Sequence, residues 1–227
     1  MRFEAVAFDL DGTLYPDSRL YRCALPYVLS RAKEFSAFGQ ARRHMRLLGL
    51  GLAGEGGEKP KDGSEFRLAQ AAFVAERLRL PNGEAAIPLV ESSFYRGVEE
   101  LFARVRPYEG VAAALDELAR SGLRLALLSD LPPGRKLELM GLAGRFELAL
   151  CSEASGALKP AREPFAMLAE ALGLPPGRIL YVGNVAKIDV AGAKEAGMAT
   201  AIISRKPAPG ADLRFRDWRK LVRFATA

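Results

Sequence analysis

Six short apolar runs punctuate the chain: Ala5–Phe8, Leu123–Leu128, Leu148–Cys151, Ile179–Val182, Ala199–Ile203 and the weaker Leu213–Phe215. Continuous apolar runs of this length, each bounded by turn residues, read as strands buried on both faces. Helical patterns lie between most of them. Val111–Arg120 has apolar residues at 111, 115 and 118 and a stop at Ser121-Gly122. Pro164–Leu172 opens on proline and ends at Gly173, and Ile188–Ala196 ends at Gly197. Arg219–Phe224 reads as a closing helix. Strand–helix alternation predicts an α/β chain with a doubly wound parallel sheet.

Residues 16–105 break that alternation. They hold no convincing strand and several helical stretches: Arg19–Phe35, Gln40–Leu48, Glu65–Leu80, and Glu84–Arg104 interrupted by Pro88. The expected organisation is a helical domain over 16–105 inserted into a core made of 1–15 and 106–227, with Pro107 and Gly110 marking re-entry. The glycine-rich stretch Gly49–Gly63 is expected to be a flexible loop joining helices. It contains Gly49-Leu50-Gly51-Leu52-Ala53-Gly54, a match to the dinucleotide-binding glycine pattern. No strand precedes it and no helix start follows, so it is rejected as a cofactor site.

A hydrophobic fraction of 49% and a charged fraction of 26% are those of a soluble globular protein. No apolar run approaches the ~18 residues of a membrane helix, so no membrane partner is expected. The first residues run into an apolar strand pattern without a charged-then-apolar stretch, so a secretory signal is not expected. Cys23 and Cys151 have neither disulfide nor zinc spacing, which fits a cytoplasmic protein. The net charge of +6 invites a nucleic-acid reading. Seven Lys or Arg against two Asp fall between Arg205 and Arg223, on the closing elements. A solvated face accounts for them, and no nucleic acid is expected.

The first apolar run leads straight into Asp9-Leu10-Asp11-Gly12-Thr13. That places two carboxylates at the C-terminal end of a strand, the edge where open α/β sheets bind ligands. Gly12 allows a sharp turn. Asp9 and Asp11 can then differ in role: one a nucleophile or metal ligand, the other an acid/base. The second run ends at Ser129-Asp130, whose hydroxyl can hydrogen-bond a phosphoryl oxygen. Lys159-Pro160 lies between the third and fourth runs. The fourth ends at Gly183-Asn184, with Asp189 five residues on and Gly192-Ala193 beyond.

These four elements, in this order, resemble the haloacid dehalogenase superfamily, most of whose members are phosphatases. The resemblance implies a Rossmann-like core with an inserted helical cap over the site. It implies a hydrolase that cleaves a small phosphorylated metabolite, a phosphomonoester, through an aspartyl-phosphate. Asp9 would be the nucleophile, Asp11 the acid/base, and Lys159 a catalytic charge. Thr13, Ser129, Asp130 and Lys159 would hold the substrate, and Asp9, Asp11, Asn184 and Asp189 would hold Mg²⁺.

Two positions depart from the family pattern: Asn184 stands where an acid is usual, and Asp130 where Asn is common. Asp130 is expected either to restore the site's charge or to pair with Lys159; the alternative is that it points away as a cap. Three rival readings remain open. One is a metal-free 2-haloacid dehalogenase-type hydrolase, one a sugar phosphomutase, and one a non-catalytic member binding a phosphorylated ligand. The lone His44, among Arg42, Arg43 and Arg46, reads as a solvated helix face, with substrate contact as the other option. Selectivity is expected in the helical insert and around Tyr15, Pro16 and Asp17, where Arg19, Tyr21 and Arg22 stand unranked. The sequence does not name the substrate or the oligomeric state.

Overall fold

The computed structural model describes residues 2–53 and 58–227. Strand β1 (Ala5–Phe8) is followed by four helices, α1 (Asp17–Ser30), α2 (Ala32–Gly49), α3 (Gly63–Leu78) and α4 (Gly83–Val90). The last continues through a π turn (Glu91–Arg96), the single turn α5 (Gly97–Glu99) and a 3-10 turn (Glu100–Arg104). Then come α6 (Val111–Arg120), β2 (Arg124–Ser129), the short α7 (Lys136–Leu139), β3 (Leu148–Cys151) and α8 (Arg162–Leu172). The chain closes with β4 (Ile179–Gly183), α9 (Ala191–Glu195), β5 (Ala199–Ile203), β6 (Leu213–Phe215) and α10 (Trp218–Thr226).

The six strands form one sheet in the order β3-β2-β1-β4-β5-β6. Every neighbouring pair is parallel, so the doubly wound α/β expectation holds. Alternation along β1 serves both faces. Val6 and Phe8 enter a cluster with Leu115, Trp218 and Leu221 from α6 and α10. Ala5 and Ala7 enter another with Phe165 and Leu168 from α8. Side chains on both faces are thus removed from water, which is why the strands read as unbroken apolar runs. The chain winds from β1 to β3 in one direction and from β4 to β6 in the other. The reversal leaves a crevice at the C-terminal ends of β1 and β4.

Among the described residues, 17–104 contribute helix and no strand. Their apolar faces make a separate cluster that includes Phe38, Ala41, Val74, Val90 and Phe94. The long helix expected over 19–35 breaks at Arg31, whose φ of −132° and ψ of 35° leave the helical region. Pro88, expected to interrupt a helix, sits inside α4. Proline costs an interior helix one hydrogen bond. Burial of Ala86, Val90 and Phe94 on the same stretch offsets that loss. Part of the expected Gly49–Gly63 loop, 54–57 including Gly54 of the rejected glycine pattern, lies outside the described residues. The two crossings between sheet and helical insert lie side by side. Tyr108 N–H donates to Leu14 O, and Arg19 Nη1 reaches the carbonyls of Arg106 and Pro107 at 2.7 and 2.8 Å. Arg19 therefore braces the re-entry segment. No described helix is long and apolar enough to cross a membrane.

Candidate active site

The turn after β1 is closed by Thr13 and Leu14 N–H groups donating to Leu10 O. It needs glycine at position 12, where φ is +81° and a Cβ would lie 2.1 Å from Asn184 Nδ2. The turn brings Thr13 back onto Asp9: Thr13 Oγ1 donates to Asp9 Oδ2 at 2.7 Å. Lys159 Nζ grips Asp9 Oδ1 at 2.7 Å. The same ammonium donates to Asp189 Oδ1 and to the Tyr181 hydroxyl, each at 3.0 Å. All five side chains are buried.

Burial pushes the Asp9 carboxyl up to about 7, against the pull of Lys159, with Asp189 and Asp11 adding to the rise. Burial alone would lower Lys159, yet Asp189 and Asp9 hold it well above the ordinary lysine value. Lys159 is therefore a fixed cation between two acids. Burial likewise holds the Tyr181 phenol well above its usual value, so it remains protonated.

Asp189 is fully committed. Its Oδ2 accepts the backbone N–H groups of Asn184 and Val185 at 3.0 and 2.9 Å. A Cβ on Gly183 would lie 2.3 Å from Asp189 Cβ, so the strand end must be glycine for this acid to fold back. Asn184 Oδ1 lies 3.3 Å from Thr13 Oγ1, beside Asp9 Oδ2. Ser129 is fully buried at the end of β2, its Oγ accepting from Leu131 N–H at 3.3 Å.

Asp130 takes neither expected place as a whole. Its Oδ2 pairs with Arg46 of α2 at 2.7 Å, and its Oδ1 accepts the Lys159 backbone N–H at 3.2 Å. The Lys159 ammonium goes elsewhere. Burial would raise the Asp130 carboxyl, but Lys159, Arg42 and Arg46 hold it below the usual value. Arg42, one turn before Arg46, donates to the Asp130 carbonyl and pairs with buried Glu153. Tyr95 and Gln70 complete that network, Gln70 donating to the Tyr95 hydroxyl and Tyr95 to Glu153. Arg42 and Arg46 therefore face the sheet edge, Arg43 is exposed, and His44 stacks on Phe73 at 4.8 Å.

Asp11 stands apart from the ammonium. Its Oδ1 accepts the Tyr15 hydroxyl at 2.5 Å. The sequence did not single out Tyr181, Glu153 or this use of Tyr15. A tyrosine inside an apolar strand, whose buried hydroxyl must find a partner, was the available signal for Tyr181. Arginines four residues apart on one helix face were the signal for the α2 contacts.

The donor set can be tested for magnesium. Asp9 Oδ2 and Asn184 Oδ1 converge on one hydroxyl, Thr13 Oγ1. Both are hard oxygen donors, and Mg²⁺ is commonly held by one or two carboxylates with several retained waters. No group of three His, Cys, Asp or Glu suited to a metal occurs among the described residues. The set fits magnesium in donor type, with low charge because residue 184 is neutral.

A family profile described as haloacid dehalogenase-like hydrolase matches residues 3–197. The chain belongs to the haloacid dehalogenase-like hydrolases. It is 28% identical over 209 residues to an N-acetylmuramic acid 6-phosphate phosphatase of Pseudomonas aeruginosa, covering 89% of this chain and 82% of that one. It is 29% identical over 205 residues to a glyceraldehyde 3-phosphate phosphatase of Methanopyrus kandleri, covering 89% and 84%. A solved L-2-haloacid dehalogenase superposes over the full length of both chains with a TM-score of 0.68 at 24% identity, a likeness of fold. As a member of this family the protein is a hydrolase, and its six-stranded sheet is the family's Rossmann-like core.

Proposed function

We propose that the protein is a magnesium-dependent phosphomonoester hydrolase of the cytoplasm acting on a small phosphorylated metabolite. The observation that carries this reading is the pairing of a gripped carboxylate with a separate acid. Asp9 is held between Lys159 and Thr13, while Asp11, two residues on, makes no bond to the lysine among the described residues and accepts the Tyr15 hydroxyl. A departing halide leaves as a stable anion and needs no acid. A departing alkoxide needs a proton, and Asp11 is placed to supply it. The two phosphatase relatives at 28% and 29% identity support the same choice.

In this mechanism Asp9 attacks phosphorus, and the bond to the ester oxygen breaks as Asp11 gives that oxygen its proton. Asp11 then takes a proton from water, which displaces the Asp9 carboxylate and releases phosphate. Ser129 and Lys159 hold equatorial oxygens, where charge spreads in the transition state. Asp189 holds Lys159 and the 184–185 turn in place. Asp9 and Asn184, with the Asp11 backbone carbonyl, would hold Mg²⁺. When bound, the cation supplies positive charge that screens the nucleophile from the incoming phosphate. Residues 16–105 act as a cap on a core of 1–15 and 106–227, excluding water and reading the leaving group.

A second reading is a metal-free 2-haloacid dehalogenase-type hydrolase. The neutral Asn184 beside Asp9 favours it. One experiment separates the two: release of phosphate from a panel of phosphomonoesters, with magnesium and with chelator, beside halide release from 2-chloropropionate. Magnesium-dependent phosphate release supports the first reading. Halide release unaffected by chelator, without phosphate release, replaces it with the second.

A further inference from the structure

Three acids and one ammonium crowd the ends of β1 and β4. Lys159 takes two of the acids, Asp9 and Asp189. Asp11 is two residues from Asp9, on a side chain with two free torsions, and is open to the same attraction. Its Oδ1 instead accepts the Tyr15 hydroxyl across the turn. Tyr15 itself cannot move easily. It is fully buried, and its ring meets Phe102 edge-on at 5.3 Å and 89°. Phe102 is also fully buried, and the Lys136 ammonium lies 5.1 Å from its ring centre. Burial and the adjacent Asp11 carboxylate keep the Tyr15 phenol protonated, so it stays a donor. Asp11 Oδ2 accepts no hydrogen bond from the described residues. One oxygen of the acid is therefore pinned and the other left for substrate or water.

We propose that Tyr15 is a positioning residue that fixes Asp11 for proton transfer, at both the ester cleavage and the hydrolysis of the Asp9 phosphate. The proposal rests on the phosphatase reading above. Tyr15 touches no reacting atom. It acts by holding Asp11 in one rotamer, out of the Lys159 ion pairs, while the proton moves through the other carboxyl oxygen. An aspartate of the same sequence spacing without such a partner would divide its time between the ammonium and the substrate.

The test is Tyr15→Phe, which removes one oxygen and keeps the ring against Phe102. Its kcat/KM is compared with wild type on two phosphomonoesters, glycerol phosphate and 4-nitrophenyl phosphate, both with magnesium. The alkoxide of glycerol needs a proton to leave, whereas nitrophenolate does not. The expected result is a loss of about tenfold or more on the alkyl ester, the rate equivalent of one hydrogen bond to a charged group. The aryl ester should stay within about twofold, because its cleavage draws little on general acid catalysis. That retained aryl rate also shows that the variant is folded. With the aryl ester, acid-quenched phospho-enzyme should accumulate in Tyr15→Phe, since Asp11 is then no longer held in place to take the proton of water in the second step. Equal losses on both esters, or no loss on either, would overturn the role of Tyr15 and leave the phosphatase reading intact. Wild type that releases phosphate from neither ester would overturn the phosphatase reading, and this role with it.

Discussion

At the residue scale the site is organised by one buried lysine. Lys159 donates to two carboxylates and a phenol, one acid just past β1 and the other two groups on β4 and the turn that follows it. Asp9→Asn should remove turnover while leaving the fold intact, because the amide keeps an oxygen for Thr13 or Lys159 but cannot attack phosphorus. Activity above about one part in a hundred of wild type, with magnesium dependence preserved, would show that Asp9 is not the nucleophile. Asn184→Asp tests the departure from the family pattern. Restoring a carboxylate beside Asp9 Oδ2 should tighten magnesium binding in calorimetry, since an anionic oxygen attracts a hard cation more than an amide does. Unchanged affinity would show that residue 184 is not a ligand. The candidate residues themselves were legible in the sequence because turns at strand ends keep their local spacing. Tyr15 was read there as a possible determinant of selectivity. Its burial beside Asp11 makes it a structural neighbour of the acid, something no local pattern displays.

At the element scale, α2 fastens the helical insert to the sheet edge. Arg42 and Arg46 meet Asp130 and Glu153, which follow β2 and β3, so one helix face clasps two strand ends. Asp130 is 19% exposed at the side chain, and its depressed carboxyl makes this clasp sensitive to acid. The folded protein holds the ionised form more tightly than the unfolded chain does. Its stabilising effect is therefore complete above the ordinary aspartate value near about 3.9 and is lost as pH falls through the lower folded value. Asp130→Asn should cost about 1–3 kcal/mol at neutral pH, the loss of a hydrogen-bonded charge. The melting temperatures of variant and wild type should converge below about pH 4. A gap that stays constant into acid would place the stabilisation elsewhere. The strands and α6 were readable because apolar runs and helix stops are local. The break at Arg31 and the survival of α4 through Pro88 were not, because packing against other helices outweighed local preference.

At the scale of the whole molecule, the fold does not depend on the chemistry it carries. The two sheet-facing clusters and the cluster of the insert are apolar and reach the site only through edge members such as Tyr15 and Tyr181. Chelator should therefore abolish phosphate release while shifting the melting temperature by less than about 4 °C, the shift that roughly 1 kcal/mol produces in a domain of this size. A larger drop would mean that the cation is a structural element. The same separation explains the basic terminal segment. Trp218, Leu221 and Val222 of α10 are buried, whereas Arg219 and Arg223 of the same helix are exposed, so charge there covers a packed face.

The sequence alone determined the parallel α/β core, the helical character of the insert read as 16–105, and the order of the catalytic candidates along the chain. Each of these is written in local periodicity or in fixed spacing at a strand end. Tertiary structure decided which acids share Lys159 and that Asp130 answers to Arg46. These are contacts between residues up to 150 positions apart. They exist only once the sheet brings the strand ends together and burial makes every unpaired charge costly.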